Sequence, residues 1–236
     1  MAAVFLTAEW KKLAMANYPI DAGALRPFLP ARTTLDTWDG QAYVSLVGFQ
    51  FREVRVRGLR IPLHTQFPEV NLRFYVRYQE EGEWKRGVVF IREIVPLPAV
   101  AFFANTIFHE RYIAIPMRFV DTNDGTVLRA AYHWRFKSRW NGLSLKADPV
   151  ARPLVAGSHE EFITEHFWGY SAHGENTVEY QVQHPRWDIY PVREYELDCD
   201  FGKLYGPAFA HLRQQKPQSV FLAEGSPVEV YSKRML

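Results

Sequence analysis

The chain has 236 residues, 47% hydrophobic, 23% charged and 15% aromatic, with a formal net charge of +2. That composition excludes a disordered chain, and so small a charge leaves no electrostatic footprint for nucleic acid or an anionic membrane surface. One cysteine, Cys199, excludes an intramolecular disulfide framework, which fits a reducing cytoplasm, and no run approaches the ~20 apolar residues of a membrane helix.

The opening "MAAVFLTAEWKKL" has a short apolar stretch but no basic residue ahead of it and no long apolar core, so no signal peptide is expected. In "YPIDAGALRPFLP", Asp21 is placed to cap a short helix over residues 22–28, which Pro27 and Pro30 keep from growing. A strand follows in "GQAYVSLVGFQFREVRVRG". Tyr43, Val47, Phe49 and Phe51 share one face and Ala42, Val44 and Leu46 the other, the two-sided apolar pattern of a central strand. Its tail, with Arg52, Arg55, Arg57 and Arg60, reads as a solvated strand end.

"FPEVNLRFYVRY", residues 67–78, alternates differently. Val70, Leu72, Phe74 and Val76 form an apolar face, while Glu69, Asn71 and Arg73 point together to the opposite side. That polar face is either a solvated outer surface or the polar lining of a cavity, and the strand alone leaves both open. "QEEGEW" reads as a hairpin loop leading to a strand in "RGVVFIREIVP". The length and apolar content of "PAVAFFANTIFHERYIAIP" predict a buried helix over 99–109. "FVDTNDGTVLRAAYHWRF" predicts a turn at residues 123–125 and an alternating strand with Leu128, Ala130, Tyr132, Trp134 and Phe136 on one face and Arg129, His133 and Arg135 on the other.

"SHEEF" has the Ser-x-x-Glu form of a capping box, Ser158 with Glu161, opening another short helix. "ENTVEYQVQHPRWDIYPVREYEL" predicts two strands broken at residues 184–187, and "SVFLAEGSPVEVY" a final pair turning at 224–227. No repeat or linker interrupts the chain. One domain over residues 1–236 is therefore expected, of α+β class and mostly antiparallel, with a closed or strongly coiled sheet.

The common catalytic patterns are missing. The eight histidines are scattered, and the pair in "HEEFITEH" is seven apart rather than four, so no metal site is expected. No phosphate-cradling glycine loop and no Gly-x-Ser-x-Gly elbow occur. Asp198 and Asp200 beside Cys199 disfavour a thiolate, and no cofactor is expected.

Taken in order, "ALRPFLP", "DGQAYVSLVGF", "FPEVNLRFYVRY", "GVVF", "FITEHFWGY" and "HPRW" resemble the YqjF-like family of uncharacterised conserved proteins, grouped with acetoacetate decarboxylases. The resemblance implies a cone-like antiparallel β-barrel with a few short helices around an interior cavity. In acetoacetate decarboxylases a lysine forms a Schiff base with the ketoacid, a second lysine lowers its pKa, and a glutamate and an arginine complete the site. Laid on this chain, the glutamate matches Glu69 and the arginine falls near Lys11. The lysine pair falls on Arg111 and Tyr112, just before "AIP". A guanidinium cannot supply the neutral amine that attacks a carbonyl, so Schiff-base chemistry is not expected.

The remaining set suggests an anion site. Arg73, Arg111 and Lys11 are the ligand-binding cations, Asn71 donates to a carbonyl or hydroxyl oxygen, and Glu69 or His109 moves a proton. The expected partner is a small organic acid or carbonyl compound, with no nucleic acid or membrane and with homo-oligomers left open. The alternative is a non-catalytic structural or assembly module in which Glu69 and Arg73 form a buried ion pair.

Overall fold

The computed structural model describes residues 3–236. In chain order it contains β1 (Val4–Ile20), α1 (Ala22–Leu25), β2 (Thr34–Leu35), β3 (Ala42–Val56), β4 (Leu59–Arg60), β5 (Phe67–Glu80), β6 (Glu83–Val95) and α2 (Pro98–Phe108). There follow β7 (Tyr112–Ala114), β8 (Met117–Asn123), β9 (Leu128–Phe136), β10 (Arg139–Ala147), α3 (His159–Thr164), β11 (Trp168–His173) and β12 (Asn176–Gln183). The chain ends with β13 (Ile189–Tyr190), β14 (Val192–Asp198), α4 (Phe201–Tyr205), β15 (Ser219–Tyr231) and β16 (Arg234–Met235).

The larger sheet runs β15-β1-β3-β5-β6-β11-β12, and β12 pairs with β15 again through Val182↔Val230 and Gln183↔Glu229. The hydrogen-bonded path therefore closes on itself. Every pairing in it is antiparallel except β6 with β11. A second, four-stranded sheet, β14-β10-β9-β8, covers one outer side, with the Tyr132 hydroxyl donating to the Lys12 carbonyl at 2.7 Å.

Strand alternation divides the apolar residues between two cores. Ala42, Val44 and Leu46 of β3 and Val70, Leu72, Phe74 and Val76 of β5 face outward, onto Tyr132 and Trp134 of the smaller sheet and Phe201 and Phe209. Tyr43, Val47, Phe49 and Phe51 of β3 face inward with Leu13, Met15, Tyr75, Phe162 and Trp187. These are the two faces that the sequence of β3 presents.

Local chemistry sets the connections. Glu81 and Gly82 at φ 51° and 88° make a two-residue turn between β5 and β6, whose left-handed backbone matches strand twist. Asp21 accepts from Gly23 N–H at 2.6 Å and opens α1, which tightens into a 3-10 turn over Arg26–Phe28. Ser158 accepts from Glu161 N–H at 3.2 Å, while the Glu161 carboxylate reaches back to Gly157 N–H at 2.6 Å. The predicted helix at 99–109 is α2, ending at Phe108 because His109 takes the left-handed conformation of a helix terminus, φ 55°, but it is not buried as expected: Ala101 is its one buried residue, and Phe102 and Phe103 are exposed.

Two elements differ from the sequence expectation. The segment 219–231 is no pair of strands turning at 224–227 but the single strand β15, paired with β1 along its length. Gly225, at φ 80°, absorbs the irregularity that its Gly-Ser-Pro sequence announces, and a Cβ there would collide with the Trp10 carbonyl oxygen. At the other end, residues read only for the absence of a signal peptide form β1. Its register shifts against β3 between Lys11 and Ala14, and Lys12 sits at φ 55°.

Candidate functional site

The closed sheet and α2 enclose a cavity of about 440 Å³. Glu69, Asn71 and Arg73 all line it, at 2%, 1% and 8% exposure, so the polar face of β5 points inward and is buried. Asn71 donates to one Glu69 carboxylate oxygen at 2.9 Å and the Tyr112 hydroxyl donates to the other at 2.8 Å. Arg73 reaches only the Ile163 carbonyl, at 3.4 Å, and its Nε has no partner. It is in no ion pair among the described residues. The Glu69–Arg73 bridge required by the structural alternative is therefore not formed. Glu69 satisfies its oxygens with neutral donors instead.

Two further carboxyls join Glu69. Glu93 of β6 and Glu110, just before β7, are buried in the same wall, and Glu110 accepts from the Tyr180 hydroxyl at 2.8 Å. Burial pushes Glu69 up to about 7 against the opposing effects of Asn71, Tyr112 and Arg73. Glu110 rises to about 8, first through burial, with the neighbouring Glu69 adding to it. Burial and then the Glu110 and Glu69 charges hold Glu93 well above the ordinary carboxyl range. At neutral pH Glu93 and Glu110 are held toward the protonated acid, and Glu69 stands between its two forms.

His166 and His184 complete the polar lining, both pushed down to about 4, chiefly by burial. His166 Nε2 lies 3.1 Å from Asp36 Oδ2, and Asp36 also accepts from Arg86 Nε at 2.6 Å. The neutral His166 ring thus donates from Nε2 and leaves Nδ1, which has no partner, as an acceptor. Asn71 Oδ1, Glu93 Oε2 and Trp10 Nε1 are likewise buried and unpartnered, and all these residues line the cavity. Buried polar atoms are nearly always bonded, so this concentration of free donors and acceptors marks a place built for an occupant.

The other sequence-chosen residues are elsewhere. His109 stacks on His173 with ring centroids 3.8 Å apart, outside the cavity lining. Arg111 is exposed, its guanidinium 5.2 Å from the Phe28 ring centroid. His109 is the left-handed residue that ends α2, and in the link to β7 Glu110 and Tyr112 line the cavity while Arg111 between them is exposed. Lys11 stands at the irregularity of β1, between the cavity-lining Trp10 and Leu13, and does not line the cavity. No lysine is among the lining residues. Cys199 is fully buried outside the cavity, and burial raises its thiol pKa before Asp200 and Asp198 add to it. Among the described residues no cluster of His, Cys, Asp and Glu has the arrangement to hold a metal.

Glu93 and Glu110 were not chosen from the sequence. In "GVVFIREIVP" simple alternation from Val88 and Phe90 would bring Arg92 to the cavity. Pairing instead jumps from Arg73↔Phe90 to Leu72↔Arg92, so Ile91 is an extra residue. Ile91 packs in the outer core, Arg92 donates to the Leu204 carbonyl outside, and Glu93 faces in opposite Asn71.

A sequence profile described as an uncharacterized conserved protein family, DUF2071, matches residues 7–227. The chain belongs to this family. The chain is 27% identical over 189 residues to the uncharacterized protein YqjF of Bacillus subtilis, covering 75% of this chain and 72% of that protein. The fold is that of acetoacetate decarboxylase-like proteins. The acetoacetate decarboxylase of Legionella pneumophila superposes with a TM-score of 0.66 at 13% identity, over 99% of this chain and 88% of that one. The enduracididine biosynthesis enzyme MppR, complexed with pyruvate, superposes with a TM-score of 0.66 at 14% identity, over 100% of this chain and 91% of that one.

Proposed function

We propose that this family member binds a small organic acid or oxo compound inside the cavity and forms no Schiff base with it. The observation that carries the reading is Arg73: a buried guanidinium without a carboxylate partner and with an unpartnered Nε, facing an internal space. A ligand carboxylate supplies the missing partner, and a planar guanidinium takes it in a forked pair. With Glu93 and Glu110 protonated, they add donors rather than repulsion at neutral pH. Glu69, poised near 7, can give or take a proton beside a bound carbonyl, and His166 Nδ1 offers a second acceptor. The absence of lysine from the lining supports the lysine-free reading, and pyruvate in MppR supports the ligand class.

The outer core continues from the closed sheet into the smaller one, which supports one domain over residues 1–236, and the buried free thiol fits a cytoplasmic setting. Thermal-shift titration with pyruvate and other 2-oxo acids tests the binding. We expect a shift that Arg73→Lys weakens by ~1.5–3 kcal/mol of binding energy, the size of hydrogen bonds to a charged group. Borohydride added with acetoacetate or pyruvate should trap no adduct, and a stoichiometric adduct on any lysine overturns the lysine-free reading.

A further inference from the structure

The cavity is divided along its length. On β5 the inward positions run Phe67, Glu69, Asn71 and Arg73. Phe67 follows the segment whose Ile61 and Arg57 are exposed and border the cavity, and Phe103 of α2 borders it at 57% exposure, so this end is the mouth. Arg73 lies six residues further in, ~20 Å at the ~3.4 Å rise of a strand. The buried carboxyls gather inward of Phe67, with Glu69 and Asn71 next on β5 and Glu93 opposite Asn71, while His184 lies beside Trp10, whose ring packs on Phe49 and Phe51. Toward the mouth the walls are Phe49, Phe51, Phe67, Val54 and Ile61, with no carboxylate among them.

A ligand as small and polar as pyruvate satisfies Arg73 but leaves this apolar length wet. The volume is far larger than it needs: a single water takes only roughly 10–15 Å³ of such space, so about 440 Å³ holds several times the non-hydrogen atoms of pyruvate.

Deepening the organic-acid reading, on which it rests, we infer that the occupant is a monocarboxylic acid with an extended apolar tail, which fills the apolar length that a short acid leaves empty. Its carboxylate pairs with Arg73, and its tail points between Phe49, Phe51 and Phe67 toward the mouth at Ile61 and Phe103. The retained protons on Glu93 and Glu110 keep the inner end from repelling the headgroup.

Isothermal titration of the full chain at pH 6 with acetate, pyruvate, hexanoate, decanoate and 1-decanol tests this, since burial of each methylene tightens binding about three- to fourfold. Decanoate is expected to bind more than tenfold tighter than hexanoate, and tighter than 1-decanol. Arg73→Lys should weaken decanoate and leave 1-decanol nearly unchanged. Pyruvate binding as tightly as decanoate overturns the tail while the organic-acid reading stands. If no acid of any length binds, both fall. If 1-decanol matches decanoate, the Arg73 headgroup site falls; that comparison needs only the wild-type chain, so it decides even where Arg73→Lys does not fold.

Discussion

Glu110 shows what the interior does to a single carboxyl. Its pKa rises from 4.5 to about 8, so between those values the folded chain keeps a proton that the unfolded chain has released. Stability from this group is fully present below about 4.5 and is lost as pH rises toward about 8. Glutamine does not titrate and still offers an oxygen to the Tyr180 hydroxyl. Glu110→Gln is therefore expected to be stabilised relative to wild type at pH 9 compared with pH 5, on the order of 1–3 kcal/mol. Urea unfolding at the two pH values checks this; an unchanged difference shows that Glu110 is not held protonated. The missing bridge between Glu69 and Arg73 gives a second expectation. A double-mutant cycle with Glu69→Ala and Arg73→Ala should show coupling below ~1 kcal/mol, where breaking a buried ion pair would cost ~3–5 kcal/mol. A coupling of that larger size restores the structural-module alternative.

Irregularities within strands decide which side chains reach the cavity. Gly225 keeps β15 continuous against β1 at a left-handed φ of 80°, with no room for a Cβ beside the Trp10 carbonyl. Gly225→Ala should cost ~1–3 kcal/mol in urea unfolding, from backbone strain and overpacking together; a neutral effect would mean that β1 and β15 can separate there. The same kind of irregularity limits what the sequence reveals. Regular alternation made β3, β5 and β9 legible, and with them Glu69, Asn71 and Arg73 as one face. The extra residue Ile91 inverts the alternation in β6 and hides Glu93, since a bulge leaves no compositional mark in "GVVFIREIVP". His109 and Arg111 were misplaced for a related reason. Correspondence to a family position fixes neither a helix cap nor which neighbour turns inward, and it is Tyr112, beside Arg111, that touches Glu69. β1 carries no strand signal in its sequence because its "AEWKK" centre breaks the apolar pattern at the irregularity by Lys12.

Across the whole molecule the buried acids and the buried histidines pull stability in opposite directions. Glu69, Glu93 and Glu110 have raised pKa values, so their stabilisation weakens as pH climbs above 4.5 and continues to weaken through about 7 and about 8. His166 and His184 are depressed from 6.5 to about 4, so the unfolded chain takes up protons first and stability falls as pH drops from 6.5 toward 4. Above 6.5 only the carboxyls of this set still change the balance, and the slope is downward. Below 4.5 the histidines dominate it, and stability rises with pH. The maximum is expected between those two ordinary values, 4.5 and 6.5. Thermal denaturation from pH 4 to 9 locates it, and a midpoint still rising between pH 7 and 9 would show that the cavity carboxyls are ionised in the folded protein. Carboxylate ligands should move the same curve. A bound anion stabilises the folded chain most where the acids hold their protons, so the ligand-induced shift is expected to shrink as pH passes from 6 to 9.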